Sequence, residues 1–215
     1  MGTRLFPLLI LTASNPFALA AQPKPPADHC EVSPDAPLAL VTGSKEADLW
    51  NSYAPSMKFP IPAGHPVAIG TRNSDWTCVS HYGSGYGWIL TNRLQPIQPD
   101  LHPPATAWEG TWTPLGLKKQ PRGAMTKLVI STGVAPGGLK VAGQAYWFGA
   151  VVEGERVTHE GAVDGEASPS ENRLHLIDGA CEVNISLIGG FLNVMDNREC
   201  GGANVTFTGV WQKTK

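Results

Sequence analysis

Apolar and polar positions alternate in short runs along this chain, and no stretch holds a helical period of 3.6 for long. The clearest pair is Trp76–His81 and Gly87–Thr91, two alternating runs on either side of the Gly-rich stretch Tyr82-Gly83-Ser84-Gly85-Tyr86. That arrangement predicts a β-hairpin. Leu38–Val41, Val67–Thr71 and a short piece near Leu94 complete a first group of strands. The intervening residues 43–65 hold Trp50, Tyr53, Phe59 and three prolines, and read as a long loop. Further on, alternation returns at Lys127–Ser131, Leu139–Phe148, Leu174–Ile177, Cys181–Leu187, Phe191–Met195 and Asn204–Trp211. Gly137-Gly138, Asp178-Gly179 and Gly189-Gly190 punctuate these runs, and the last two pairs suit two-residue hairpin turns. The fold class is therefore all-β. A small barrel comes first, and a larger antiparallel barrel or sandwich of about eight strands follows. The stretches Trp108-Glu109-Gly110-Thr111-Trp112 and Phe207-Thr208-Gly209-Val210-Trp211 would pair as first and last strands and close that second sheet.

Before the first strand the pattern changes twice. Arg4, the apolar segment Leu5–Leu11 and the small-x-small end Ala18-Leu19-Ala20 have the layout of a secretory signal peptide over residues 1–20. Pro7, Ser14, Asn15 and Pro16 interrupt it, so it falls short of the ~20 apolar residues a spanning helix needs. No cysteine precedes Cys30, which excludes a lipoprotein attachment near the cleavage point. Residues 21–37 then carry five prolines and no apolar period, and read as an extended linker. The expected organisation is a first domain over 38–97, a second proline-rich linker over 98–106, and the larger domain over 107–215. The mature protein is expected in the periplasm or secreted, without a membrane span.

Composition narrows the function classes. The net charge is −2 and no basic stripe is present, so nucleic acid is not an expected partner. The four cysteines Cys30, Cys78, Cys181 and Cys200 form an even set, and in an exported chain that favours disulfides. Three pairings are open. The division into two domains favours one bond within each, joining the two cysteines of the first half and the two of the second. No Cys-x-x-Cys pair exists, which argues against zinc.

The run Trp76-x-x-Val79, then Gly85-x-Gly87-Trp88-Ile89 and Leu94, resembles the closing half of bacterial SH3 (SH3b) domains. The resemblance implies a small SH3-like barrel that binds rather than catalyses. The second half resembles a recurrent β-domain of exported proteobacterial proteins. The residues that carry it are Trp108-x-Gly110-x-Trp112, Gly161-x-Val163-x-Gly165-Glu166-Ala167-x-Pro169 and Val194-Met195-Asp196-Asn197-x-x-Cys200-Gly201-Gly202-x-Asn204-Val205-x-Phe207-x-Gly209-Val210-Trp211. This second resemblance implies a fold and no activity.

Candidate binding residues come from the aromatic set Trp50, Tyr53, Tyr82, Tyr86 and Trp88, because SH3-like domains offer aromatic grooves to extended peptides. Trp50 and Tyr53, placed in a loop among polar neighbours, are the stronger pair. Trp88 competes with a core role. In the second half, Asp196, Asn197 and Glu199 supply hard oxygen atoms, but the spacing of a calcium loop is absent. Capping a turn stapled by Cys200 is the better reading for them, with a rim of a ligand-binding mouth as the alternative. Trp147 sits near His159, Glu160, Asp164 and Glu166, where Glu160 and Glu166 could be weighed as an acid/base pair. No Gly-x-Ser-x-Gly elbow is present, and oxidised cysteines offer no thiolate.

The sequence thus points to a non-catalytic cell-envelope binding protein with no cofactor and no metal. Its first domain would engage peptide, peptidoglycan or a protein partner. The alternative is a periplasmic inhibitor or immunity protein against a cell-wall hydrolase, with residues 153–166 or 196–199 as the plug.

Overall fold

The computed structural model describes residues 23–51, 54, 56–81, 85–116 and 125–214. The leader expected over residues 1–20 lies outside them. Two antiparallel sheets, of seven and eight strands, make up almost all of the regular structure.

The first sheet contains β1 (Leu38–Val41), β2 (Ala47–Asn51), β3 (Lys58–Ile61), β4 (Pro66–Asn73), β5 (Trp76–His81), β6 (Gly85–Leu90) and β7 (Leu94–Pro96). Their order across the sheet is β3-β2-β6-β5-β4-β1-β7. The region expected to be one long loop thus carries β2 and β3. Its prolines concealed them: Pro60 lies within β3, which is an edge strand and can lose a ladder donor without harm. Ala47, Leu49 and Ile61 are nonetheless fully buried, joining Val41, Val67, Val79 and Ile89 inside the barrel.

Strand β5 is buried at all six positions, so both of its faces are covered. One face looks into the barrel. The other meets a seam in which Trp76, Cys78 and Trp88 pack against Cys30, Val32 and Ala36 of the N-terminal segment, and Leu115, Ile188 and Val210 of the second sheet. Residues 24–37 form no helix or strand, as their prolines require, yet they are not a free tether. The Cys30–Cys78 disulfide fixes them to β5, and the Trp88 indole N–H donates to the Asp28 carbonyl at 3.1 Å. Burying each such apolar side chain contributes about 1.5–3 kcal/mol, more than enough to hold an unstructured segment in place.

The second sheet contains β8 (Gly110–Pro114), β9 (Lys127–Thr132), β10 (Leu139–Val152), β11 (Glu155–Ala167), β12 (Arg173–Asp178), β13 (Cys181–Ile188), β14 (Phe191–Asp196) and β15 (Gly209–Lys213). A single helical turn, α1 (Ala105–Trp108), leads into β8. The order is β11-β10-β9-β8-β15-β14-β13-β12. The expected partners β8 and β15 do pair, with Lys213 opposite Trp112 and Trp211 opposite Pro114. Their pair lies at the middle of the sheet, however, and does not close it. Closure comes from curling, which brings β11 to β12: the Asp164 N–H donates to the Asp178 carboxylate at 2.9 Å, and the barrel is nearly complete. Trp108, Trp112, Phe207 and Trp211 fill the interior and are fully buried. Trp112 and Trp211 each donate the indole N–H to the carbonyl four residues earlier, at 2.8 and 2.9 Å. These bonds satisfy a polar atom that would otherwise weaken the core.

Of the two expected hairpin turns, Gly189-Gly190 forms as expected, whereas Asp178 ends β12 opposite Cys181 and the turn there is Gly179-Ala180. Gly189 and Gly190, with φ of +58° and +83°, join β13 to β14 with the left-handed geometry of a two-residue turn.

Candidate functional site

The aromatic set singled out in the first half divides. Tyr53 and Tyr82 lie outside the described residues. Trp88 is 3% exposed and belongs to the seam, so it is a core residue and not a ligand contact. Trp50 is half-buried, edge-on to Trp76 at 6.3 Å between ring centroids, and the Lys58 ammonium lies 3.8 Å above its ring. A lysine of the same sheet therefore occupies the aromatic face that an incoming peptide would use. Tyr86, also half-buried, is the member that borders open space. The strand pattern explains the division, because Tyr86, Trp88 and Leu90 alternate with Gly87 and Ile89 and all turn toward the seam. Gly87 has its own reason to lack a side chain: a Cβ there would lie 2.3 Å from the Trp50 carbonyl, where β2 crosses closely.

In the second half, Asp196 and Asn197 organise the chain between β14 and β15. The Asp196 carboxylate accepts from the hydroxyls of Thr206 and Thr208, both at 2.8 Å, and from the Phe207 N–H at 2.7 Å. Asn197 accepts from the Glu182 and Glu199 N–H groups and donates to the Ala180 carbonyl. The Cys181–Cys200 disulfide closes the same corner. Both side chains are consumed in holding the turn, whereas Glu199 is exposed beside it.

This corner forms one wall of a cleft between the two sheets. Ser80, His81, Gly85 and Tyr86 line the first-sheet side; Arg198, Asn204, Thr206 and the Gly201-Gly202 backbone line the other. The cleft encloses about 420 Å³, within the usual range of small-ligand sites. Its walls are built to stay in place. Each carries or adjoins a disulfide, and Gly201 packs against β11 so tightly that a Cβ on Gly161 would sit 2.3 Å from the Cys200 carbonyl. Arg198 and Asn204 both adopt left-handed φ, of +67° and +66°, which turns the connecting chain sharply around the cleft. Among the described residues no Asp or Glu side chain lines it, and the Arg198 guanidinium brings a positive charge to the wall.

Beside this corner, Trp147 stacks on His159 with ring centroids 5.1 Å apart, and the His159 Nδ1 meets the Ala203 carbonyl. Glu160 and Glu166 lie on one strand, six residues and about 20 Å apart, too far to act as an acid/base pair on one bond. Strand β11 was hidden in the sequence because it carries charge on both faces. It pairs with β10 well past the point where β9 ends opposite Gln144. Beyond Phe148 and Thr158 the two strands form an arm roughly 16 Å long. Its turn is Glu153-Gly154, and Val151 and Val152 are each 56% exposed near the tip.

At the end of β5, His81 is buried and neither ring nitrogen has a hydrogen-bond partner among the described residues. The His65 imidazole stacks beside it at 6.4 Å. Burial, and then the neighbouring His65, hold the His81 pKa below its ordinary value of 6.5. His81, the last residue of β5, also lines the cleft next to Ser80.

No known protein family, curated protein or solved structure matches this chain. The two disulfides fit a chain that matures in an oxidising compartment, and no helix among the described residues is long and apolar enough to cross a membrane.

Proposed function

We propose that this protein is an exported, non-catalytic binding protein of the cell envelope. The observation that carries the proposal is the cleft between the sheets, held rigid by a disulfide on each side and lined by hydroxyls, an amide and a guanidinium. A preformed site loses little entropy when it is filled, so even a modest set of polar contacts can yield useful affinity. The SH3b-like character of the hairpin β5–β6 and the signal-like leader support placement in the periplasm, with peptide, peptidoglycan or an envelope protein as the partner. The site differs from the aromatic groove expected of that resemblance. It lies at the outer end of β6, where Tyr86 borders the second sheet. Retention of the full mature chain on isolated sacculi, at both low and physiological salt, tests the reading. Passage of the protein through both washes without retention removes the cell-wall version.

A second reading, inhibition of a cell-wall hydrolase, draws support from the β10–β11 arm. Its exposed valines are flanked by Glu153 and Glu155, with Arg156 opposite Val151, a narrow apolar tip with a charged rim that suits a concave, polar-edged substrate cleft. Loss of hydrolase inhibition on truncating the arm, with sacculus binding intact, would assign the arm its own role.

A further inference from the structure

The chemistry of the cleft can be taken one step beyond binding in general, an inference that rests on the reading above. The wall offers Ser80 and Tyr86 on one side and Arg198, Asn204 and Thr206 on the other. Hydroxyl and amide side chains such as Ser80, Tyr86 and Asn204 can both donate and accept, and the Arg198 guanidinium donates, as a ligand dense in hydroxyls and amides requires. The Thr206 hydroxyl, by contrast, is already engaged by Asp196 and the Thr208 N–H. A peptide with large apolar side chains would find no pocket for them, since the apolar atoms present come from Ala203, Val205 and the Tyr86 ring. A phenol ring bordering a polar cleft instead gives a flat surface for the C–H face of a sugar.

Arg198 adds a charge that a neutral glycan would leave unused. Its planar fork of N–H donors matches a carboxylate, and no acidic side chain in the lining competes for it. The Asp196 carboxylate is absent from the described lining and is engaged by three donors, the Thr206 and Thr208 hydroxyls and the Phe207 N–H. We propose that the cleft between the sheets binds a carboxylate-bearing glycan, with Arg198 reading the carboxylate and Tyr86, Ser80 and Asn204 contacting the sugar.

The test uses two defined disaccharides that differ in that group. One is N-acetylglucosamine linked to N-acetylmuramic acid, which carries a lactyl carboxylate; the other is chitobiose, which does not. The full mature chain is titrated with each by calorimetry, as wild type and as Arg198→Asn, a residue that tolerates the left-handed backbone while removing the charge. Tyr86→Ser is the second variant, and thermal melting checks that both fold. The acidic disaccharide should bind at least ~10-fold more tightly than chitobiose to the wild type, and Arg198→Asn should abolish that preference. Tyr86→Ser should weaken both sugars. Absence of saturable binding by either sugar, or a preference unchanged in Arg198→Asn, overturns the proposal.

Sacculus retention measured on the same preparations separates this inference from the broader one. Retained protein that ignores the disaccharides discards the cleft and leaves envelope binding in place. Disaccharide binding without retention discards cell-wall attachment and leaves the cleft.

Discussion

The side-chain amide of Asn193 donates to the backbone carbonyl of Ala36 at 3.1 Å, joining strand β14 to the segment that precedes β1. Both residues are buried, and the bond spans 157 positions of the chain. Together with the Arg173–Asp35 ion pair at 3.1 Å, it fastens the N-terminal segment to the second sheet while Cys30 fastens it to the first.

Asn193→Ala leaves the Ala36 carbonyl buried without its donor. A loss of about 1–3 kcal/mol in unfolding free energy is expected by chemical denaturation. Arg173→Ala, which removes an exposed pair, should cost under about 1 kcal/mol. The contrast between the two variants checks that the buried amide, and not the surface charge, is the stronger tie.

Removing the disulfides should have unequal effects. The Cys30–Cys78 bond closes a separation of 48 residues and Cys181–Cys200 one of 19. In the chain-entropy picture these correspond to about 4 and 3 kcal/mol. Paired Cys→Ala variants, compared by urea unfolding, should show the larger loss for the first bond. That bond also anchors a segment with no ladder of its own.

Asp196→Ala should be costlier than its half-buried position suggests. It deprives Thr206, Thr208 and the Phe207 N–H of their acceptor, and Phe207 is a core residue. A destabilisation of about 2–4 kcal/mol is expected, with a cleft wall that exchanges amide hydrogen faster at 206–208. Asp196→Asn, which keeps one acceptor, should fall between the two.

Stability should decline on the acid side of pH 6.5. His81 has a folded pKa below that value, so the unfolded chain binds its proton first. The contribution is therefore complete above pH 6.5 and is lost as pH falls from there toward the folded value. The slope from one such group is at most about 1.4 kcal/mol per pH unit. Subtracting the pH profile of His81→Phe from that of the wild type isolates it; identical profiles would show that His81 does not carry this dependence.

Replacing Val151 and Val152 with serine should leave unfolding free energy within about 0.5 kcal/mol, because the two side chains are exposed on an arm beyond the barrel. If the arm inhibits a hydrolase, the same variant should lose that inhibition in a turbidity assay. An unchanged inhibitory titre would remove the arm from consideration.

Where one face of a strand is buried and the other wet, the chain announces it. Strands β9 and β12 follow their alternation closely, and Gly189-Gly190 marks its turn, whereas β13 and β14 are buried on both faces where they meet the seam. Strand β11 escaped because its outer end, Glu155–Thr158, lies in the arm and has no inner face to fill, and because Gly161 and Gly165 stand beside the single buried Val163 of its inner half. Strand β3 escaped because an edge can hold Pro60. Trp88 misled because the alternation beside Ile89 implies one buried face, whereas the N-terminal segment covers the other. The turn role of Asp196 and Asn197 was legible in their residue types. The cleft was not, since Ser80 and Arg198 become neighbours only when two sheets pack, and local patterning carries no record of that docking.

The place of β15 between β8 and β14 bears on how the protein reaches its final form. Until residues 209–213 are available, the ladder of the second sheet is broken at its middle, between the four strands ending at β8 and the three ending at β14, which then meet only where β11 approaches β12. Neither group can bury the Trp112 and Trp211 rings against each other's neighbours. A chain threaded across a membrane from its N-terminus would therefore stay incompletely folded in this half until that short segment emerged. The delay suits the export proposed above, since an exported chain must remain threadable during transport and then lock shut once its central strand arrives.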